Sequence, residues 1–492
     1  MGIIRKQSIG GMIFTYIGVI LGFVNLIIIT PKLLNTEEIG LLQLLVAISV
    51  IMSQVGSLGF MGVINRLFPY FRNPENKHHG FGFLLILIGI TGFLLVSIGY
   101  YYLQPYLIKT NIEKSPLFVE YIHWLLPLTF FSLQFNLLDS FTKAVYNAVL
   151  GTFLKELFVR MGNLLLLILY FFDLVSFDTY VLIYVVNLSL PAVILYVYLL
   201  WKGEIGFRIN RSAFTPQFRK DIFSVAMFSL ISGFGGMAVL NIDKYMINQY
   251  LDLSATGIYS IAFYFSTLIL MPNRSLAKIA ITLVAESWKK KDMDNIRDIY
   301  YKSSINQTLI GMLLFLGIWC NVHNIFAFLP PEYEAGKYVI LFIGIGNLVN
   351  MASGVSMQII GTSPRYKVQT YLILFLIILV IGTNMAFIPT YGIFGAAIAS
   401  FISTLLYVSF RIFYLYRHYH IHPFSIAHGK ALLVFIVVLG LNFILPEFKN
   451  LYLDLVIRSA LITIVFILAS YILKLSEDGL LLLRDLRQKF KI

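Results

Sequence analysis

The sequence predicts an all-α integral membrane protein with fourteen transmembrane helices, and three observations predict it. Fourteen apolar runs divide the 492 residues, each of roughly 17–25 residues, the length a helix needs to cross a hydrocarbon core. The basic residues between the runs are one-sided. Counting span ends with the loops they adjoin, 29 of the 37 Lys and Arg fall to alternate loops and tails, 6 to the opposite loops, and 2 to run interiors, Arg160 and Arg458. Loops next to membrane spans hold their excess Lys and Arg in the cytoplasm, which predicts both termini inside. Composition agrees: 59% hydrophobic residues, 12% charged and a mean hydropathy of +0.82 exceed what a soluble core of this size uses.

The predicted spans are 9–31, 40–63, 81–104, 117–140, 148–171, 179–201, 221–243, 254–273, 304–328, 336–360, 367–388, 392–416, 430–446 and 453–474. Strands are disfavoured because an open sheet edge has no partners in lipid. The first run follows Arg5 and Lys6, is too long for a cleaved signal peptide, and reads as a retained signal anchor. Cytoplasmic loops carry Arg72 and Lys77, then Lys202, Arg208, Arg211, Arg219 and Lys220, then a basic stretch at 274–302. Pro127 and Pro191 are expected to kink spans 4 and 6. Residues 475–492 form a cytoplasmic amphipathic tail, with Leu482, Leu483, Leu486 and Phe490 on one helical face.

Several function classes are excluded or disfavoured. The net charge of +13 is spread over loops, where it sets orientation and meets anionic lipid heads; no nucleic-acid partner is expected. One cysteine, Cys320, allows no internal disulfide. No G-x-x-x-x-G-K-[ST] loop is present, so no nucleotide site and no cofactor are expected. The connections on the other side, near 105–116 and 329–335, are too short for the catalytic domain of a membrane glycosyltransferase or polymerase, which leaves that reading remote. His418, His420, His422 and His428 alternate as strand ligands would, not helix ligands, and no metal site is expected. A transporter, not an enzyme, remains, with a channel as the weaker option.

The chain repeats itself. Leu33–Leu44 (LLNTEEIGLLQL) and Tyr250–Ile261 (YLDLSATGIYSI), 217 residues apart, each end one span, turn, and start the next with a glycine, Gly40 and Gly257. Spans 1 and 7 both start inside, so the halves are expected to be parallel repeats. That predicts a first lobe at 1–201, an inter-lobe linker at 202–220, a second lobe at 221–416, and two further spans at 430–474. Repeat transporters hold substrate near the midplane and rock around it.

Four segments resemble one superfamily, the multidrug/oligosaccharidyl-lipid/polysaccharide exporters. They are Ile388–Ser403 (IPTYGIFGAAIASFIS), Asn241–Ala262 (NIDKYMINQYLDLSATGIYSIA), Lys290–Ser303 (KKDMDNIRDIYYKS) and IITPKLLNTEEIGLLQL in the first hairpin. The resemblance is to the branch of polysaccharide flippases. It implies movement of polyprenyl-diphosphate-linked oligosaccharide across a bacterial inner membrane for O-antigen, capsule or exopolysaccharide assembly. Partners would be membrane lipid, H+ or Na+ as coupling ion, and other polysaccharide-assembly proteins. A lipid II flippase or a cation-coupled drug/toxin antiporter of the same superfamily is the alternative. Spans 13 and 14 would either line a groove for the lipid tail or pack on the second lobe.

A diphosphate crossing hydrocarbon bare costs tens of kcal/mol, so a flippase needs a wet cationic cavity, with arginine the better phosphate ligand. Arg160 is the leading candidate. It lies twelve residues into span 5, about 18 Å of helical rise. Glu156 is four residues earlier on the same face, either as its coupling partner or as one half of a structural ion pair. Lys155, Lys143 and Arg66 sit at inner span ends, as an entry funnel or as ordinary positive-inside anchors. Asp139 pairs with Lys143 at i+4, as a surface ion pair or a coupling group, and Asp243, beside Lys244, falls on the family's motif aspartate, as a helix-end polar pair or a gating or coupling group. Asp454 and Arg458 form another i,i+4 pair, expected to serve packing or lipid-head contact. Gly18 and Gly22 form a G-x-x-x-G face, and Ser232–Met237 carries three glycines in four residues; both read most simply as packing surfaces.

Overall fold

Apolar segments in lipid must satisfy their backbone groups internally, and each predicted run falls wholly or mostly on helix. The structure is a computed structural model that describes residues 2–210, 215–446 and 448–479, with side chains except at 2–9, 12, 274, 275 and 278. Among the described residues there is no strand. Helix α1 covers 2–33, with a π-helical stretch at Val24–Ile29. Then come α2 (Thr36–Gly56), α3 (Phe60–Leu67), α4 (Phe81–Asn111) and α5 (Pro116–Ala144). Helix α6 covers 148–171 with a second π-helical stretch, Leu154–Phe158. The chain continues as α7 (Phe177–Trp201), α8 (Pro216–Tyr250), α9 (253–290) and α10 (Met293–Trp319). It ends with α11 (Lys337–Ala352), α12 (Ser356–Thr362), α13 (Lys367–Tyr419), α14 (Ile426–Leu441) and α15 (Leu451–Ile472). The predicted tail from residue 480 lies outside the described residues, as does Arg211.

By length and composition, ten helices among the described residues can cross a membrane. The difference from fourteen has physical reasons. Helix α13 is 53 residues long and carries two runs. They meet at Gly392, whose φ of 61° and ψ of −141° suit only glycine, three residues after Pro389. Helix α6 carries three charges, α10 is polar in its first half, and α14 has only 16 residues.

Helix starts follow their capping residues. Asn35 and Glu38 make a reciprocal capping box, and Ser176, Thr215, Asp292 and Asn450 accept from backbone N–H groups in their first turns. Pro191 lies within a continuous helix. Pro127 lies in the first turn after a 3-10 segment, Ile122–Trp124, so the irregularity precedes the proline.

Two compact units divide the chain, 1–257 and 258–492. Helix α8, placed by the repeat at the head of the second lobe, packs on α2 and α3 in the first unit, with Gly233 against the Gln54 side chain. The core at one end of this unit is aromatic, with Phe68, Phe81 and Phe141 around the ring of His78. His78 belongs to a left-handed turn in which Lys77, His78, His79 and Gly80 all have φ between 47° and 79°. Left-handed residues other than glycine cost roughly 1–2 kcal/mol each, and here tertiary bonds offset that cost. His78 Nε2 contacts Glu204 Oε2 at 2.6 Å, Asn73 N–H donates to its Nδ1 at 3.1 Å, and Asn210 N–H donates to the His79 carbonyl at 3.1 Å.

In the second unit α14 and α15 bury one face on α10, through Ala431, Val434, Val438, Ile462 and Phe466 against Met312 and Leu316. Their other faces expose apolar side chains such as Leu433, Ile436, Val456 and Ile464, as lipid-facing helices do. Asp454 and Arg458 are 1% and 3% exposed. The pair is bidentate, with both N–O distances 3.0 Å. His323, Asn324 and the Phe448 amide complete the Asp454 carboxylate, while Asn442 and the Pro446 carbonyl take the remaining guanidinium donors. The pair packs the last two helices onto the region after α10. Contact with lipid heads, the other role open to it, is ruled out by its burial.

Candidate functional site

In the first unit Arg160 pairs with Glu156, as their spacing predicts, at 2.7 Å. The side chains are 29% and 23% exposed, so the pair is neither in bulk solvent nor sealed. Its second anchor was not legible from spacing alone: Arg160 Nη1 donates to the Gly18 carbonyl of α1. The G-x-x-x-G face explains the approach. A methyl group at Gly18 would overlap the Glu156 backbone, and one at Gly22 would meet the Arg160 guanidinium. The two glycines therefore hold a polar pair, one against its backbone and one against its charge. Both helices carry π-helical stretches next to this contact, a local widening often found at functional positions.

A polar route leads on from the pair. Asn25 Nδ2 donates to the Arg160 carbonyl at 2.7 Å, and its Oδ1 is buried without a hydrogen-bond partner among the described residues. Asn25 lines a cavity of about 60 Å³, with Thr30, Gln43, Asn163, Tyr180 and Tyr184 as its other polar walls. That volume admits a few waters or a small ion and is far below the roughly 300–1,000 Å³ of a site for an organic molecule. At its far wall Gln43 Oε1 accepts from Lys244 Nζ at 3.0 Å. Asp243 and Lys244 were expected at the end of span 7. Instead α8 continues to Tyr250, and both residues are buried within it, 5% and 7% exposed.

The remaining candidates stand apart from this route. Lys155 and Arg66 are exposed. Asp139 bonds Lys143, and its other oxygen lies against Gly151 in the first turn of α6. Such a place suits a carboxylate at a helix start. The histidines at 418–428 have separate tasks. His418 stacks on Tyr414 and His428 bonds Ser304, and no cluster of three potential metal ligands occurs among the described residues.

Two kinds of residue escaped sequence reasoning. Asn25, Gln43 and Asn163 are single amides inside apolar runs, and uncharged residues give no charge signal to flag. Arg411, inside predicted span 12 but not singled out, is 3% exposed. It bonds Asn350 at 3.0 Å and Ser353, and lies over the Tyr407 ring. Counting it as a third arginine inside a run would have found it.

A charged pair and a small polar cavity therefore lie inside the apolar helices of an all-helical fold. The sequence matches no family model and no curated protein, but the fold has solved counterparts. "Lipid II flippase MurJ, inward closed conformation" aligns over 94% of this chain and 98% of its own, with a TM-score of 0.73 and 14% identity. An inward-facing multidrug resistance MATE family transporter of the MOP superfamily aligns over 81% of this chain and 93% of its own, with TM-score 0.63 and 13% identity. A Vibrio cholerae MATE transporter aligns over 85% and 98%, with TM-score 0.55 and 14% identity. The chain has the fold of the MOP exporter superfamily.

Proposed function

We propose that the protein is a flippase for polyprenyl-diphosphate-linked oligosaccharide repeat units in a bacterial inner membrane, working by alternating access with both termini in the cytoplasm. The observation that carries this reading is Arg160: a cation inside an apolar helix, half-buried, held by one carboxylate and one backbone carbonyl. A diphosphate outcompetes both as an arginine ligand, because it offers more charge and forked oxygens. Glu156 is then the counter-ion that holds the guanidinium between substrates. Lys155, Lys143 and Arg66 supply exposed positive charge on the approach. Asp139 stays with Lys143, and Asp243 with Lys244 forms a buried charged element for gating or ion coupling. The small cavity takes water or a coupling cation, since a sugar does not fit.

Coverage supports a lipid-linked substrate over a drug. The MurJ fold spans 94% of the chain, whereas the two MATE transporters span 81% and 85%. The four segments that resemble polysaccharide flippases favour an oligosaccharide over lipid II. The test is flipping of a polyprenyl-diphosphate oligosaccharide in proteoliposomes. Arg160→Ala should lower the rate at least about tenfold, the effect of one lost charge-assisted contact, and Arg160→Lys should restore part of it. Unchanged flipping by Arg160→Ala at equal reconstitution overturns the assignment.

A further inference from the structure

The repeat noticed in the sequence reappears as a physical contact. An offset of 217 residues carries Asn35 to Asp252, Thr36 to Leu253 and Gly40 to Gly257. Both members of the first pair cap a helix. Asn35 Oδ1 accepts from Glu38 N–H at 2.9 Å, and Asp252 Oδ1 accepts from Ala255 N–H at 2.7 Å. The other two pairs meet each other crosswise. Gly40 lies against the Leu253 carbonyl, and Gly257 lies against the Thr36 carbonyl. A methyl group at either glycine would overlap the facing oxygen outright. Thr36 Oγ1 and Ser254 Oγ share a hydrogen bond of 2.7 Å across the same contact.

This is the signature of an isologous contact, in which residue i meets j and the equivalent of i meets the equivalent of j. Here it occurs within one chain, between the first turn of α2 and the first turn of α9. The glycines let two helix starts approach to backbone distance. Beyond the hydroxyl pair, the contact at Gly40 and Gly257 rests on shape. Such a contact forms and parts without stranding a buried charge, as a contact made once per cycle requires.

We propose that the Gly40–Leu253 and Gly257–Thr36 contacts form a reciprocal lock that closes the face carrying these turns and parts in each transport cycle. The proposal rests on the reading of the chain as a transporter. It names the closing element, and it predicts that the two glycines are equivalent in effect although they lie in different halves of the sequence.

The experiment has two arms, both in a Cys320→Ala background that leaves no native thiol. In the first, Thr36→Cys with Ser254→Cys is oxidised, and a protease site inserted at 211–214 reports the cross-link as one band instead of two. Cross-linking should be fast, and it should stop flipping in proteoliposomes until reductant is added. No cross-link, or full flipping by the cross-linked protein, overturns the proposal. The second arm uses no substrate, so its failure is distinct from failure of the Arg160 assignment. Gln43→Cys, less than one turn beyond Gly40, is labelled in intact cells with a membrane-impermeant maleimide, with exposed Asn35→Cys as the marker for the side. Gly40→Leu overpacks the closed contact and should speed labelling about tenfold. Gly257→Leu should do so to the same extent. Unchanged labelling in both, or an effect from one glycine only, overturns the lock.

Discussion

Glu156–Arg160 and Asp454–Arg458 are the same sequence feature placed in two different surroundings. Each is an acid followed four residues later by an arginine, in an apolar helix. The second pair is closed: 1% and 3% exposed, bidentate, with His323, Asn324, Asn442 and backbone groups on the remaining donors and acceptors. The first is open: about a quarter exposed, joined by an ion-pair contact of 2.7 Å, and completed by a backbone carbonyl of another helix. A closed set cannot exchange partners without stranding a buried charge, so it scaffolds. An open set can exchange, so it can bind. Spacing tells the two apart no better than composition does; the partners do.

The largest effect should come from breaking the closed pair. Arg458→Ala leaves Asp454 buried and unpaired and should cost about 3–5 kcal/mol. Thermal unfolding in detergent would show it as a large drop in Tm, and a drop no larger than that of Arg160→Ala would erase the distinction between the pairs. Next comes Glu156→Gln. It removes the counter-ion of an arginine that keeps its Gly18 carbonyl and partial solvation, so stability should fall by about 1 kcal/mol or less. Affinity of the purified protein for a soluble diphosphate should rise, measured by titration calorimetry; weaker binding would mean that Glu156 positions Arg160 instead of competing for it. A third measurement is Asn25→Ala, which removes a buried amide whose Oδ1 has no partner among the described residues and whose Nδ2 bonds the Arg160 carbonyl. A loss of about 1 kcal/mol is expected, with flipping reduced less than in Arg160→Ala.

The smallest effect belongs to the exposed pair Glu286–Lys290 near the C-terminal end of α9. The hydrogen bond from Lys290, then its charge, holds the Glu286 carboxyl below its ordinary value. The depressed acid contributes at neutral pH, and that contribution is lost as pH falls through the depressed value. Solvent screens it, so Lys290→Ala should leave Tm unchanged within error at pH 7. A resolved drop would show that exposure alone does not separate binding pairs from scaffolding pairs.

These contrasts mark how much was legible in the sequence. The helices were, because lipid leaves apolar runs one way to satisfy their backbone. The Glu156–Arg160 pair was, because i and i+4 share a face. The glycines at 40 and 257 were visible as repeat marks, yet not as partners of each other, since contact across 217 residues has no local signal. Asn25 and Gln43 were hidden because an amide scarcely disturbs hydropathy. Gly18 and Gly22 announced packing, but not that a guanidinium would fill the space. The packing of α8 on α2 and α3 was hidden for another reason: repeats count ancestry, and packing follows shape.

The left-handed turn at 77–80 has a mechanical consequence. By fastening Glu204 and Asn210 beside α4, it takes most of the slack out of the connection between α7 and α8. Only five peptide units separate Asn210 from Thr215 at the head of α8, a reach of at most about 17 Å fully extended. The connection is therefore a short tether with a built-in stop. While the His79 carbonyl holds Asn210, the head of α8 stays within that radius, and any larger excursion must first break that bond.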